Sequence, residues 1–160
     1  MENKIILLIR RILIIMLIFW MISVFFLSNQ SGDKSGALSK KVALYITFGN
    51  EQATENIEPT IRKVAHILEY SVGAMLFFGI LITYEKYTLL ARIIMTITFI
   101  LVYSGLDEFH QSFINARSGN WIDILIDSFG GALGIGASYL VEGIIRAMDS
   151  KVQEKISQIR

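Results

Sequence analysis

An all-α, four-helix transmembrane bundle is the fold class that this sequence predicts, and three observations predict it. The chain is short and oily, with 160 residues, 53% of them apolar, and a mean hydropathy of +0.53, which is more apolar surface than one soluble core of this size hides. The apolar residues gather in four long runs, not in the short alternating stretches of a sheet. Only 18% of residues are charged and there is a single proline, which excludes a disordered or linker-rich chain. A bilayer is the solvent that fits such a composition, and a single membrane domain covering residues 1–160 is expected.

Composition also closes off chemistry. The chain has no cysteine, so disulfides, iron–sulfur clusters, thiolate zinc sites and cysteine nucleophiles are excluded. Fifteen basic and fourteen acidic residues leave a net charge of +1, which is no bulk signature of nucleic-acid binding. Any site must therefore be built from oxygen and nitrogen groups.

The first span covers about 5–28. Ile12 to Leu27 is interrupted only by Ser23 and preceded by Arg10 and Arg11, giving a helix of roughly 36 Å that crosses a bilayer if the arginines snorkel. A cleaved signal peptide shares the basic start, but no small-x-small cleavage site follows Leu27, so the helix is expected to stay. In the long connection that follows, Ala37 to Phe48 sets Leu38, Val42 and Tyr45 or Ile46 on one face and Lys40 and Lys41 on another. That is a short amphipathic helix, either lying in the headgroup layer or covering the mouth of the bundle. Glu51 to Glu58 reads as a solvated loop ended by Pro59.

The second span, 61–83, carries Arg62, Lys63, His66 and Glu69 in its first third. The third, 88–114, is apolar from Ile93 to Val102 apart from Thr96 and Thr98, and then carries Asp107, Glu108 and His110. The fourth, 121–145, has Asp123 and Asp127 near its start and Gly130, Gly131, Gly134 and Gly136 along it. Arg146 to Arg160 reads as a short polar helix. With these spans, nine lysines and arginines fall on the side of the termini and six on the other, which places the N and C termini in the cytoplasm.

Each ionisable group inside a span costs a few kcal/mol unless it is paired or hydrated. Glu69 lies roughly 10 Å below Arg62, Asp127 roughly 9 Å below Trp121, and Asp107 about 10 Å below Ile114 at the helical rise. Three helices thus bring acids to one depth beneath the external face. Helical spacing places Arg62, His66, Glu69 or Tyr70, and Gly73 on a common face, and it does the same for Asp107, His110 and Gln111. On the fourth span Asp123, Asp127, Gly130 or Gly131, and Gly134 align, and Gly130 and Gly134 form a small-xxx-small surface that admits a neighbouring backbone.

Glu69, Asp107, Glu108, Asp123 and Asp127 supply five negative charges against three positive ones from Arg62, Lys63 and Arg117. Protonated His66 and His110, carboxylates that keep their protons, or a divalent cation would each close the gap. Glu108, one position off the polar face, has a second option of facing water or headgroups. Ion pairs that merely staple helices are the plain alternative, but the number of groups converging favours a ligand-binding or catalytic site. The candidates for chemistry are His66, Glu69, Asp107, His110 and Asp127, with Tyr70 and Gln111 as hydrogen-bonding supports.

No cofactor is expected. A divalent metal on His66, Glu69, Asp107 and His110 is the weaker alternative, because no HExxH-like spacing occurs. There is no GxSxG, and Ser28, Ser31, Ser71, Ser104 and Ser112 carry no sequence mark of a nucleophile. Arg62, Lys63 and Arg117 at the rim suit an anionic headgroup, a pyrophosphate or a peptide carboxylate.

Four motifs in order, Leu27-Ser28-Asn29-Gln30-Ser31-Gly32, Arg62-Lys63-x-x-His66-x-x-Glu69-Tyr70, Asp107-Glu108-x-His110-Gln111 and Arg117-x5-Asp123-x3-Asp127-x2-Gly130-x3-Gly134, run through nearly the whole chain. Together they resemble the VanZ-like family of bacterial membrane proteins. The resemblance implies a multi-pass protein of the cytoplasmic membrane, in a family named for a member that raises resistance to teicoplanin, a lipid-tailed glycopeptide. It also implies a site on Ser28, Gln30, Arg62, Lys63, His66, Glu69, Tyr70, Asp107, Glu108, His110, Gln111, Arg117, Asp123 and Asp127. Asn115-Ala116 stands where relatives often have Pro-Gly, and Asn29 where serine is commoner.

Three functions follow as expectations. A non-catalytic envelope protein would hold membrane lipids, a lipid-linked cell-wall precursor or a lipoglycopeptide in an outward-facing pocket. A membrane-embedded enzyme would act on a lipid-linked phosphate or ester with His66 or His110 as acid/base. Proton or cation transport is disfavoured, because the half of the bundle near the termini reads as almost uniformly apolar and offers no relay.

Overall fold

The computed structural model describes residues 4–30, 32–114 and 119–159. Five helices follow in order: α1 (Lys4–Ser28), α2 (Gly32–Ile46), α3 (Glu51–Ile82), α4 (Leu89–Gln111) and α5 (Trp121–Ile159). Four of them, all but α2, are long and apolar enough to cross a membrane.

The second span starts ten residues earlier than expected. Glu51 to Glu58, read as a solvated loop, is the first part of α3, and Pro59 lies inside the helix. Asn50 caps it by accepting a hydrogen bond from the Ala53 N–H at 3.0 Å. Thr54, fully buried, bonds the Thr47 hydroxyl at 2.7 Å and so ties this turn to the end of α2. Capping and tertiary contact outweigh the missing proline donor. The amphipathic helix α2 forms, beginning five residues before the expected stretch. It packs its small Ala43 inward and leaves Leu38, Val42, Tyr45 and Ile46 exposed. The third helix stops at Gln111, three residues short of the expectation, and the polar tail expected as a separate piece continues α5 without a break.

Cross-contacts give the packing directions. Arg10 donates to the Thr83 hydroxyl and carbonyl, both at 2.8 Å, and Trp20 Nε1 donates to the Glu69 carbonyl at 2.9 Å, so α1 runs antiparallel to α3. Thr83 and Tyr84 close α3, and the Arg10 guanidinium lies 3.7 Å over the Tyr84 ring. The Tyr103 hydroxyl donates to the Met21 carbonyl at 2.6 Å. An aromatic cluster of Trp20, Tyr70, Phe99 and Tyr103 fills the centre, and the Trp20 ring occupies the space that a side chain at Gly73 would need.

The small-residue surface on α5 does what its spacing suggests. A Cβ added at Gly130 would collide with the Ile67 carbonyl, and one at Gly134 with the Ser71 carbonyl, so α3 and α5 touch backbone to backbone. Ser71 seals the contact by donating to the Gly130 carbonyl at 2.7 Å. Gly131 meets Ile100 of α4. α5 is therefore the helix that meets both α3 and α4 through its glycines.

Candidate functional site

Because α5 approaches α3 through Gly130 and Gly134, the carboxylate one turn before them is carried into the bundle. Asp127 is completely buried. Its Oδ1 lies 3.0 Å from His66 Nδ1 on α3, and its Oδ2 accepts a 2.5 Å hydrogen bond from the Ser104 hydroxyl on α4. Three helices meet at this single side chain. A carboxylate can only accept, so the shared proton sits on Nδ1 and the imidazole is held with Nε2 left for another partner.

His66 lines two cavities. The wider, about 430 Å³, is bordered by Glu55, Glu58, Arg62, Lys63, Asn120 and Asp123. The narrower, about 140 Å³, is bordered by Ser28, Gln30, Arg62, Glu69, Asp107 and Gln111, with Leu38 of α2 at its edge. Arg62 also borders both. Its side chain is about half exposed and lies 3.8 Å from Glu58. Asp107 is buried and accepts from Gln111 Nε2 at 2.7 Å, with Ser28 beside it. Arg62 and Lys63 are exposed and share the wider cavity with Glu55, Glu58 and Asp123, while Asp107 lies deeper.

The sequence-derived set divides accordingly. Ser28, Gln30, Arg62, Lys63, His66, Glu69, Asp107, Gln111 and Asp123 border a cavity, while Asp127 lies behind His66. Tyr70 is fully buried in the aromatic core, and its hydroxyl makes no well-formed hydrogen bond among the described residues. Its role is central packing, with Trp20 edge-on at 5.8 Å.

Two candidates stand apart. Glu108 faces neither water nor headgroups. It is buried, and its Oε2 accepts the Asn120 N–H at 2.8 Å, tying the end of α4 to the approach to α5. The His110 ring stacks on Phe25 of α1 at 5.0 Å and borders neither cavity, and its buried Nε2 has no partner among the described residues. Arg117 lies outside the described residues. Among the described residues no three His, Asp or Glu side chains group as a metal ligand set.

Asp107 is nearer the end of its helix than expected. With α4 ending at Gln111, it lies about 6 Å from the helix end instead of about 10 Å. Two contributors were passed over in the sequence. Ser104 stands three residues before Asp107 and seven before Gln111, on the same helical face, which is the signal that marks it. Asn120 carries no such signal, since its part is played by a backbone N–H.

A family model described as VanZ/LLP1 matches residues 13–142. The chain belongs to the VanZ family. The match covers most of α1, all of α2, α3 and α4 and the first part of α5 with its glycine surface, so both cavities of the VanZ bundle fall within it. With four helices able to span a bilayer, this is a VanZ-like multi-pass membrane protein. No curated protein and no solved structure matches the chain.

The opposite end of the VanZ bundle is not uniformly apolar, which corrects the expectation. Arg92 on α4 is buried and donates to Glu142 on α5 at 3.2 Å, and Arg146 donates to the same oxygen. Thr96 and Ser138 are buried nearby in sequence on the same two helices. The reason is a pairing across helices: Arg92 of α4 and Glu142 of α5, both within their expected spans, meet as an ion pair whose two side chains are each only 10% exposed.

Proposed function

We propose that this VanZ-like protein binds the headgroup of a lipid-linked envelope compound from the outer leaflet of the bacterial cytoplasmic membrane, and thereby alters the action of lipid-tailed glycopeptides. The observation that carries the reading is that Arg62 and His66 border two polar cavities while Asp127 fixes the imidazole from behind. A headgroup that offers an oxyanion to Arg62 and Lys63 and amino or hydroxyl groups to Glu55, Glu58 and Asp123 beside them and to Glu69 and Asp107 below fits the charges of both cavities. Outward orientation is supported by the lysine and arginine count, nine to six in favour of cytoplasmic termini. The partners under this reading are membrane lipids, a lipid-linked cell-wall precursor or the lipoglycopeptide itself.

Expression in a susceptible bacterium tests it. Protection against teicoplanin is expected, with loss on Asp127→Ala or Arg62→Gln and with wall-precursor composition unchanged throughout. An altered precursor pool on expression refutes the binding reading.

A second reading is favoured by the His66–Asp127 pair. A carboxylate that fixes one imidazole nitrogen and leaves the other for a ligand is the arrangement of a general base, and it suits hydrolysis of a lipid-linked phosphate or ester. Purified protein incubated with extracted bacterial lipids would then release a product visible by mass spectrometry, and His66→Gln would stop it. Absence of turnover with the wild-type protein removes this reading.

A further inference from the structure

The charges that border the two His66 cavities do not balance. Glu55, Glu58 and Asp123 border the wider one together with Arg62 and Lys63. The narrower adds Glu69 and Asp107, shares Arg62, and brings no further lysine or arginine among the described residues. Five carboxylates thus stand against two cations, an excess of three negative charges. Arg117 lies outside the described residues, and its one charge, wherever it falls, leaves the sum negative. The His66–Asp127 pair adds no positive charge, because Asp127 cancels the imidazolium even when that forms.

Hydrogen-bond polarity points the same way. With the proton on Nδ1, His66 Nε2 offers a lone pair, and Asp107 is an acceptor that takes one donor, Gln111, at 2.7 Å. The cationic donors of the lining, Arg62 and Lys63, are the exposed ones. A single metal ion would need its ligands gathered at one point, and among the described residues no three His, Asp or Glu side chains gather so. Dispersed acids call for dispersed cations.

We infer that the headgroup bound here is net cationic, with one phosphodiester held at Arg62, which borders both cavities, and at least two ammonium groups, one for the carboxylates of each cavity. This rests on the reading that the cavities hold a lipid headgroup, and it narrows that reading. A headgroup of hydroxyls leaves the charge excess unanswered. One with more oxyanions than amines, a pyrophosphate included, adds to it. A phospholipid esterified with a basic amino acid is the class that fits. The wider cavity, about 430 Å³, lies within the range of small-ligand sites, about 300–1,000 Å³, and the narrower, about 140 Å³, lies below it, so the narrower takes an arm of the headgroup and not its body.

Native mass spectrometry of the full chain released from nanodiscs with equal phosphatidylglycerol, phosphatidylethanolamine and lysyl-phosphatidylglycerol compares headgroups with no amine, one and two. Wild type retains the lysyl lipid most and phosphatidylglycerol least. The chain's overall charge of +1 works against this order, so bulk attraction does not produce it. Glu55→Gln, at an exposed side chain, and Asp123→Asn each lower the ratio of lysyl-phosphatidylglycerol to phosphatidylglycerol about fivefold, as one unit of charge near a headgroup predicts, with thermal unfolding little changed. Arg62→Gln lowers retention of all three lipids without lowering the ratio. Phosphatidylglycerol retained as well as the lysyl lipid, or a ratio that neither carboxylate variant moves, overturns the inference, while a loss of all three lipids on Arg62→Gln still supports headgroup binding. Equal retention by wild type with no response to Arg62→Gln removes headgroup binding itself, and the inference with it.

Discussion

The two ends of the bundle each bury a carboxylate against cationic or hydrogen-bonding partners on neighbouring helices, yet they are built from different chemistry. Asp127 is held by an imidazole and a hydroxyl, groups that can be neutral. Glu142 is held by two guanidiniums, which cannot. The first end can change its protonation as a ligand arrives. The second presents a fixed charge, suited to anchoring and unsuited to moving a proton. Burial alone does not separate them, since both pairs are largely shielded from solvent; the identity of the cation does.

The largest expected effect breaks this comparison outright. Glu142→Ala strands the Arg92 guanidinium in a buried place with no way to become neutral, and a loss of about 3–5 kcal/mol is expected. Asp127→Ala should cost less, about 1–3 kcal/mol, although Asp127 is the more buried, because His66 can turn neutral and the groups left without their partner are a hydroxyl and an uncharged imidazole nitrogen. Thermal or denaturant unfolding in detergent orders the two, and the reverse order would mean that the His66 end is the one carrying fixed charge.

Helix approach gives the next contrast. Gly134→Ala drives a methyl into the Ser71 backbone and should cost about 1–3 kcal/mol and weaken activity, since the same approach delivers Asp127 to His66. Gly136→Ala, two residues on and facing open space, should stay within about 1 kcal/mol and on the stabilising side. The smallest stability effect is expected at the rim. Among the described residues Arg62→Gln breaks a half-exposed contact with Glu58, worth no more than about 0.5 kcal/mol, while the proposed protection falls. A large stability loss there would make Arg62 a structural residue.

Hydropathy and spacing carried the reading far at the first end. The acids at 107 and 127, the glycines at 130 and 134 and the His66 face were all legible as periodic positions on helices, because a helix has one fixed pitch and a polar group in lipid is costly wherever it sits. Glu108 and His110 show the limit. Both satisfy the spacing rule within one position, but a rotation of about 100° per residue separates a cavity wall from a packing contact, and only the neighbour on the other side tells which is which. The Arg92–Glu142 pair was hidden for another reason. Its members lie 50 residues apart at the margins of their spans, where a charge reads as an ordinary interface residue.

What the sequence determined by itself is the class of the molecule and its inventory: four spans, an amphipathic connector, no thiol, and a stripe of small residues beside an aspartate. Those are local properties, set by transfer free energy and helical pitch. Tertiary structure decided the pairings: Asp127 with His66 and Ser104, Glu108 with Asn120, Arg92 with Glu142. It also decided that Glu51 to Glu58 is helix, since capping by Asn50 and contact with α2 outweigh Pro59. Pairings across helices depend on rotation and depth of one rod against another, and that freedom is removed only when the rods pack.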